Sequence, residues 1–168
     1  LITFPESIKI ASSLLFATPS ISAQPAGESE ASMLAEIDSR YDATADLAMQ
    51  IWDWAEPGYQ EVKSSNLLAS ELEAAGFEIE RGVADIPTAF IASFQQGDGP
   101  VIAVLGEYDA LPGINQAAKP MRSPIPGKLS GHACGHHLFG AASFTAAIAI
   151  KNWLIETGTP GEIRFYGT

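Results

Sequence analysis

A run of five apolar residues, Val101-Ile102-Ala103-Val104-Leu105, limits the folds open to this chain more than any other segment. Alternating apolar and polar residues, as at 77–80, are typical of a strand with one solvated face, but this run is apolar on both faces. Strands of that kind are usually buried under helices on both sides of a sheet. The run therefore predicts an α/β fold, a three-layer domain with helices on both faces of a mixed sheet, incomplete at the C-terminus.

Helical periodicity occurs on both sides of the strand region. Apolar residues recur at helical spacing from Met33 to Ala55, and further helices are expected at about 61–75 and 138–156. Glu56 and Glu61 flank a Pro-Gly turn between the first two helices, and we interpret both as solvated residues of a helix boundary.

The remaining segments are predicted as strands and one long loop. The strands are expected at 77–80, 88–94, 101–105 and 162–166. Four prolines lie between Ala110 and Ser130, so this stretch is expected to be a loop that neither a ladder nor a helix crosses. Loops of this length within a compact domain tend to be functional.

The first 32 residues differ from the rest of the chain. Lys9 precedes a mostly apolar run at 10–17, and small residues follow up to Ala23, which is the pattern of a secretory signal peptide. We expect a signal peptide at 1–23, a polar leader at 24–32 and a periplasmic or secreted protein. The alternative is an irregular N-terminus on a cytoplasmic protein. The run is too short to span a bilayer, which takes about 20 apolar residues.

Charge narrows the classes of partner. The chain has 20 acidic and 9 basic residues and a formal net charge of −11, so its surface should repel phosphate backbones and anionic lipids. We therefore expect no nucleic acid partner, and the short apolar run at 10–17 predicts no membrane span. The single cysteine, Cys134, cannot form a disulfide within the chain.

The clearest chemical signal is a cluster of metal-binding residue types. All three histidines and the only cysteine lie within six consecutive positions, from His132 to His137. Thiolate and imidazole are both good zinc ligands, and Cys134 and His136, separated by Gly135, can converge on one ion from a turn. The alternative is a buried cysteine beside histidines that hydrogen-bond to backbone carbonyls.

A zinc site needs more ligands than these two. Glu107 and Asp109 are the best candidates, because they follow the strand at 101–105 and α/β sheets place their sites at such strand ends. Asp109 could bind a metal directly or hold an imidazole ligand in the required tautomer. The alternative for both residues is an ordinary strand-end turn with solvated carboxylates.

Three ordered motifs carry a resemblance to a known family. They are Gly106-Glu-Tyr-Asp-Ala-Leu-Pro-Gly113, Gly131-His-Ala-Cys-Gly-His136 and Gly161-Glu-Ile-Arg-Phe-Tyr-Gly-Thr168. Together they resemble the aminoacylase and carboxypeptidase superfamily of two-metal hydrolases. By this resemblance, residues 33–168 form the N-terminal part of a metallohydrolase catalytic domain.

The resemblance implies hydrolysis of an amide bond in N-acyl amino acids, aminobenzoyl-glutamate or small dipeptide-like substrates. The cofactors it implies are two zinc or manganese ions in the complete enzyme, which is expected to be a homo-oligomer or a heterodimer. Cys134 and His136 match metal-ligand positions, His132 matches a motif position assigned here to the metal, and Asp109 matches a catalytic position near the metals.

The chain departs from the family pattern in two respects. His137 stands where relatives usually carry Asn or Asp, and it could add a third imidazole or face solvent. The family's general-base glutamate follows the Gly-Thr that ends this chain. We therefore expect the 168-residue segment to be inactive by itself.

Two other functions remain open from the residues alone. Cys134 could be the nucleophile of a thiol hydrolase with a histidine as base, although no orienting group or oxyanion hole is evident. The chain could also be a non-catalytic metal-binding or interaction fragment.

Overall fold

The computed structural model describes residues 26–168. The predicted signal peptide and the start of the leader lie outside the described residues. The helices are α1 (Ala26–Ser39), α2 (Tyr41–Trp54), α3 (Val62–Ala74) and α4 (His136–Thr157). The strands are β1 (Glu78–Arg81), β2 (Phe90–Gln96), β3 (Val101–Gly106), β4 (Leu111–Pro112), β5 (Ser130–Gly131) and β6 (Gly161–Gly167).

Four strands form one mixed sheet in the order β1-β2-β6-β3. β2 is antiparallel to β1 and to β6, whereas β3 is parallel to β6. In this register Ile163 of β6 lies between Phe94 of β2 and Ile102 of β3. The predicted α/β class with a mixed sheet is confirmed, and the parallel pair brings the C-terminal ends of β3 and β6 to one edge.

Alternation along β6 shows which face of the sheet carries the core. Ile163 and Phe165 are fully buried, whereas Glu162 and Arg164 are only half-buried. The buried side packs against apolar residues of α2, α3 and α4, including Ile51, Leu68 and Ile148. Among residues 26–168 the helices therefore cover this one face of the sheet.

β3 is the clearest difference from the sequence prediction. The predicted strand at 101–105 is confirmed. The prediction that it is buried is wrong, because Val101 and Ile102 are each 53% exposed and Leu105 is 59% exposed. β3 is an edge strand whose only partner among the described residues is β6. An apolar run indicates a strand suited to burial, but burial itself depends on neighbours that the run does not specify.

Three boundaries also differ from expectation. The helix predicted from Met33 to Ala55 is two helices separated at Arg40, and α1 begins early enough to include residues 26–32 of the predicted leader. The stretch from Ala110 to Ser130, predicted to be a loop without strands, contains β4 and the first residue of β5, which form a short antiparallel ladder. Pro112 tolerates this position because an edge strand does not need its missing N–H.

α4 is the central helix of the core. By length and composition it is the one described helix that could cross a membrane. It packs on β3 and β6, however, and buries Phe144 and Ile148. These contacts are those of a core helix in a folded domain.

Candidate metal centre

Side chains alternate in direction after β3, so the carboxylates of Glu107 and Asp109 point the same way. Tyr108 points into the core, where it is fully buried and its hydroxyl donates to the Thr88 carbonyl at 2.5 Å. Glu107 and Asp109, on either side of it, consequently point away from the core and remain half-buried. The strand thus delivers both carboxylates to the edge where parallel sheets place their sites.

His136 reaches the same place from the other direction as the first residue of α4. The preceding residue, Gly135, has a φ of 89°, a left-handed conformation that glycine adopts without strain. This turn lets the chain enter α4 directly above the end of β3. The positive end of the helix dipole also favours carboxylates at this position.

The three side chains form one compact group. His136 Nδ1 lies 2.5 Å from Asp109 Oδ1, and His136 Nε2 lies 2.9 Å from Glu107 Oε2. One ligand atom from each residue lies within 4.8 Å of the others, and all three residues are half-buried. Two carboxylates and an imidazole are a donor set that zinc and manganese both accept.

The hydrogen-bonding capacity of His136 supports a cation at this position. Both of its ring nitrogens face carboxylate oxygens, but a neutral imidazole has only one N–H. The second contact then places a lone pair against an oxygen, which is unfavourable unless a proton or a metal ion lies between them. The residues present therefore fit a divalent cation.

The sequence prediction and this group overlap in part. The structure brings together His136, Asp109 and Glu107, which were all candidates. Cys134 is exposed and lies outside the group, and His132 also lies outside it. No hydrogen bond joins Cys134 to a histidine within residues 26–168, so the nucleophile–base contact of the thiol-hydrolase alternative is not formed there.

His132 and His137 form a separate, buried imidazole pair. Their ring centroids are 4.7 Å apart, and that of His137 is 4.9 Å from that of Trp52. His132 Nε2 donates to the Ile51 carbonyl at 3.1 Å, so Nδ1 of neutral His132 carries the lone pair. Nδ1 of each histidine is buried and has no hydrogen-bond partner among residues 26–168. His137 therefore does not face solvent, and it also lies outside the compact group of Glu107, Asp109 and His136.

Burial also lowers the pKa of both histidines. For His137 the pKa falls to about 4, because burial disfavours the imidazolium and His132 and His136 lie nearby. For His132 the main cause of the lowered pKa is again burial, which the hydrogen bond to the Ile51 carbonyl partly opposes. Both histidines are consequently neutral at pH 7.

We predict that these pKa shifts make the metal-free chain less stable in mild acid. The unfolded state binds protons on these histidines near pH 6.5, whereas folded His137 binds one only near pH 4. Stability should therefore be complete above pH 6.5, fall as the pH drops towards 4, and lose up to about 3 kcal/mol from His137.

Urea unfolding of chelator-treated protein between pH 7 and pH 4 measures this dependence. Carboxylates titrate in the same range, so His137→Asn provides the matched control. The variant should show a shallower decline than the wild type. Equal slopes for the two proteins would contradict the prediction.

A cavity of about 410 Å³ adjoins the candidate metal centre. Its lining residues are Gly58, Tyr59, Glu61, Ile86, Thr88, Glu107, Asp109, His136 and Thr168. No chemical signal in the sequence marked the first five, which lie before β2 and far along the chain from the histidines. The interpretation of Glu61 as a solvated boundary residue is wrong, since it is 4% exposed and accepts a hydrogen bond from Thr88 Oγ1 at 2.8 Å.

Glu56 also has a structural role that the sequence did not reveal. Its carboxylate accepts hydrogen bonds from the backbone N–H groups of Lys63 and Ser64, at 3.0 and 2.9 Å. These amides belong to the first turn of α3 and have no partner within the helix. Glu56 thus caps α3 and fixes the loop that leads into the cavity.

A mixed α/β sheet with two carboxylates after the end of β3 and an imidazole at the start of α4 defines the chain as an α/β domain with a candidate metal centre. No protein-family model matches the sequence. Individual proteins do match. A p-aminobenzoyl-glutamate hydrolase subunit of Escherichia coli (strain K12) is 55% identical over 125 residues, which are 73% of this chain and 25% of that protein. The IAA-amino acid hydrolase ILR1-like 5 of Arabidopsis thaliana is 32% identical over 118 residues, 70% of this chain and 26% of that protein.

A solved structure extends the likeness to three dimensions. The Bacillus subtilis YXEP protein, described as a dinuclear metal binding peptidase from the M20 family, is 28% identical with a TM-score of 0.57. The match covers 77% of this chain and 35% of that one. The chain belongs to the aminoacylase and carboxypeptidase superfamily of two-metal hydrolases. It spans about a quarter of the length of the curated relatives it matches.

Proposed function

We propose that the protein containing this chain is a metal-dependent amidohydrolase that cleaves the amide bond of N-acyl amino acids such as aminobenzoyl-glutamate. The observation that carries the proposal is the contact of His136 with both Glu107 and Asp109 at the end of β3. Relatives named as an aminobenzoyl-glutamate hydrolase and as an IAA-amino acid hydrolase support the reaction class.

In this proposal Glu107, Asp109 and His136 hold a zinc or manganese ion. Such an ion supplies Lewis acidity towards an amide carbonyl and lowers the pKa of water. Asp109 fixes the orientation of the His136 ring through the contact between Oδ1 and Nδ1. Nε2, which faces Glu107, is then the nitrogen of His136 that would bind the ion.

We propose Cys134 and His132 as further metal-binding residues of the complete enzyme. Cys134 is exposed on the turn that precedes His136, where its thiol is free to bind an ion. His132 presents a bare Nδ1 lone pair while its Nε2 is held by a backbone carbonyl, an arrangement common among metal-ligating histidines. A dinuclear site, as described for the YXEP protein, needs more ligands than the compact group provides.

We also propose a heteromeric assembly for the complete protein, because the Escherichia coli relative is named as one subunit of its hydrolase. Residues 1–23 remain our proposed secretory signal peptide, supported by their composition.

Metal analysis and hydrolysis assays on the full-length protein test the proposed function. The purified protein should contain zinc or manganese and hydrolyse p-aminobenzoyl-glutamate. A chelator should stop hydrolysis, and added Zn²⁺ or Mn²⁺ should restore it. Hydrolysis that survives complete metal removal would overturn the proposal, and rapid loss of that residual activity with iodoacetamide would favour the thiol hydrolase instead.

A further inference from the structure

Two strained loops wall the cavity beside the candidate metal centre. The first loop, residues 55–61, contributes Gly58, Tyr59 and Glu61, and the second loop, residues 82–88, contributes Ile86 and Thr88. All non-glycine residues with positive φ in the described part of the chain lie in these two loops, at Ala55, Tyr59, Ala84 and Asp85. Strained backbone of this kind clusters at ligand-binding sites.

Tyr59 has the most unusual position in these loops. Its φ is 64°, which is a left-handed conformation and a genuine outlier for a bulky side chain. Its side chain is nevertheless 73% exposed, so it adds little to the core. Within residues 26–168 its hydroxyl makes no hydrogen bond. Neither packing nor hydrogen bonding therefore explains why a large aromatic residue occupies this position.

The first loop is fixed to the surrounding structure. Gln60 N donates to the Pro57 carbonyl at 2.9 Å, and Ala110 N, just beyond the metal centre, donates to the Glu56 carbonyl at 2.8 Å. Buried Glu61 connects the first loop to the second loop through Thr88. These bonds hold the Tyr59 backbone in place at the wall of the cavity.

The charges of the cavity indicate which half of a substrate would meet Tyr59. The lining includes the acidic residues Glu61, Glu107 and Asp109 and no lysine or arginine. Such a lining offers no ammonium or guanidinium side chain to pair with the carboxylate of an amino acid. The uncharged acyl half is compatible with it, and Tyr59 and Ile86 provide an aromatic and an aliphatic surface. A cavity of about 410 Å³ is large enough for a single aromatic ring.

We propose that Tyr59 is a specificity-determining residue that packs against a planar aromatic acyl group of the substrate. This inference rests on the proposed amidohydrolase function and adds to it the residue that selects an aromatic acyl group. The first loop places Tyr59 at the wall of the cavity, where an aromatic acyl group covers apolar surface that is otherwise exposed to water.

The test compares N-benzoylglutamate with N-acetylglutamate as substrates of the metal-loaded full-length protein. In Tyr59→Gly, the ratio of kcat/KM for the benzoyl substrate to that for the acetyl substrate should fall about tenfold, since one aromatic contact is lost. Tyr59→Phe should keep the ratio within about twofold, because the ring remains. Tyr41→Ala is the matched control, since Tyr41 is also 73% exposed but lies outside the cavity.

Thermal unfolding supplies the second measurement. Glycine adopts positive φ without steric strain, so Tyr59→Gly should have a Tm no lower than that of the wild type. An unchanged substrate ratio, or an equal loss for both substrates, would overturn the assignment while leaving the proposed function intact. A clearly lower Tm in Tyr59→Gly would show a structural role and also overturn it. A wild-type protein that hydrolyses neither substrate would contradict the proposed function itself.

Discussion

Replacing His136 with alanine should lower the zinc affinity of the full-length protein at least about a hundredfold and remove its amidase activity. His136 is the residue that joins the group, because its two ring nitrogens contact Asp109 and Glu107 at 2.5 and 2.9 Å. Without the imidazole, two carboxylates remain close together with no positive or neutral group between them.

Zinc competition with a chromophoric chelator measures this affinity. His137→Asn is the matched control, since it removes the neighbouring imidazole, which is buried beside Trp52 and lies outside the metal group. The control should retain zinc with nearly wild-type affinity. If His136→Ala bound zinc as well as the wild type, or if the control lost as much affinity, the compact group would not be the metal centre.

Replacing Gly140 with alanine should disturb the metal centre by displacing the backbone of Glu107. A Cβ at this position would lie 2.4 Å from the backbone carbonyl oxygen of Glu107, a contact that requires the backbone to move. Gly140 is one helical turn after His136, so the helix and the Glu107 carboxylate would be pushed apart. We expect zinc affinity to fall about ten- to hundredfold and the free energy of unfolding to fall by about 1–3 kcal/mol.

The direction of the stability change makes this prediction specific. Alanine is a better helix former than glycine by about 1 kcal/mol, so propensity alone would stabilise the variant. Ala142→Gly is the control, because Ala142 is exposed in the same turn of α4. It should lower stability by about 1 kcal/mol and leave zinc affinity unchanged. A Gly140→Ala protein that is more stable and binds zinc normally would contradict the close packing.

Sequence patterns predicted the local structure of this chain well. Helices near 61–75 and 138–156 and strands near 78, 90, 101 and 162 follow from periodicity and from glycine stops, and all of them are present. The residues of the metal centre could be predicted from the sequence for a similar reason. Histidine is rare in this chain and confined to one turn, while Glu107 and Asp109 directly follow an apolar strand.

The sequence could not show which histidine turns towards the carboxylates. His132, His136 and His137 lie within six positions, yet only His136 joins Glu107 and Asp109, while the other two pack beside Trp52. His132 lies before α4, whereas His136 and His137 are consecutive residues of α4 and therefore project about 100° apart around the helix axis. Residue type identifies a possible ligand, but backbone direction decides where its nitrogen atoms lie.

The sequence by itself therefore determined the α/β class, most helices and strands, and the residue types able to hold a metal ion, because periodicity and side-chain chemistry are local properties. Only the tertiary structure decided that β3 is an exposed edge, that Gly140 lies against the Glu107 carbonyl, and that Tyr59 borders the cavity. These features depend on contacts between segments far apart in the chain, and the local pattern of residues does not encode their geometry.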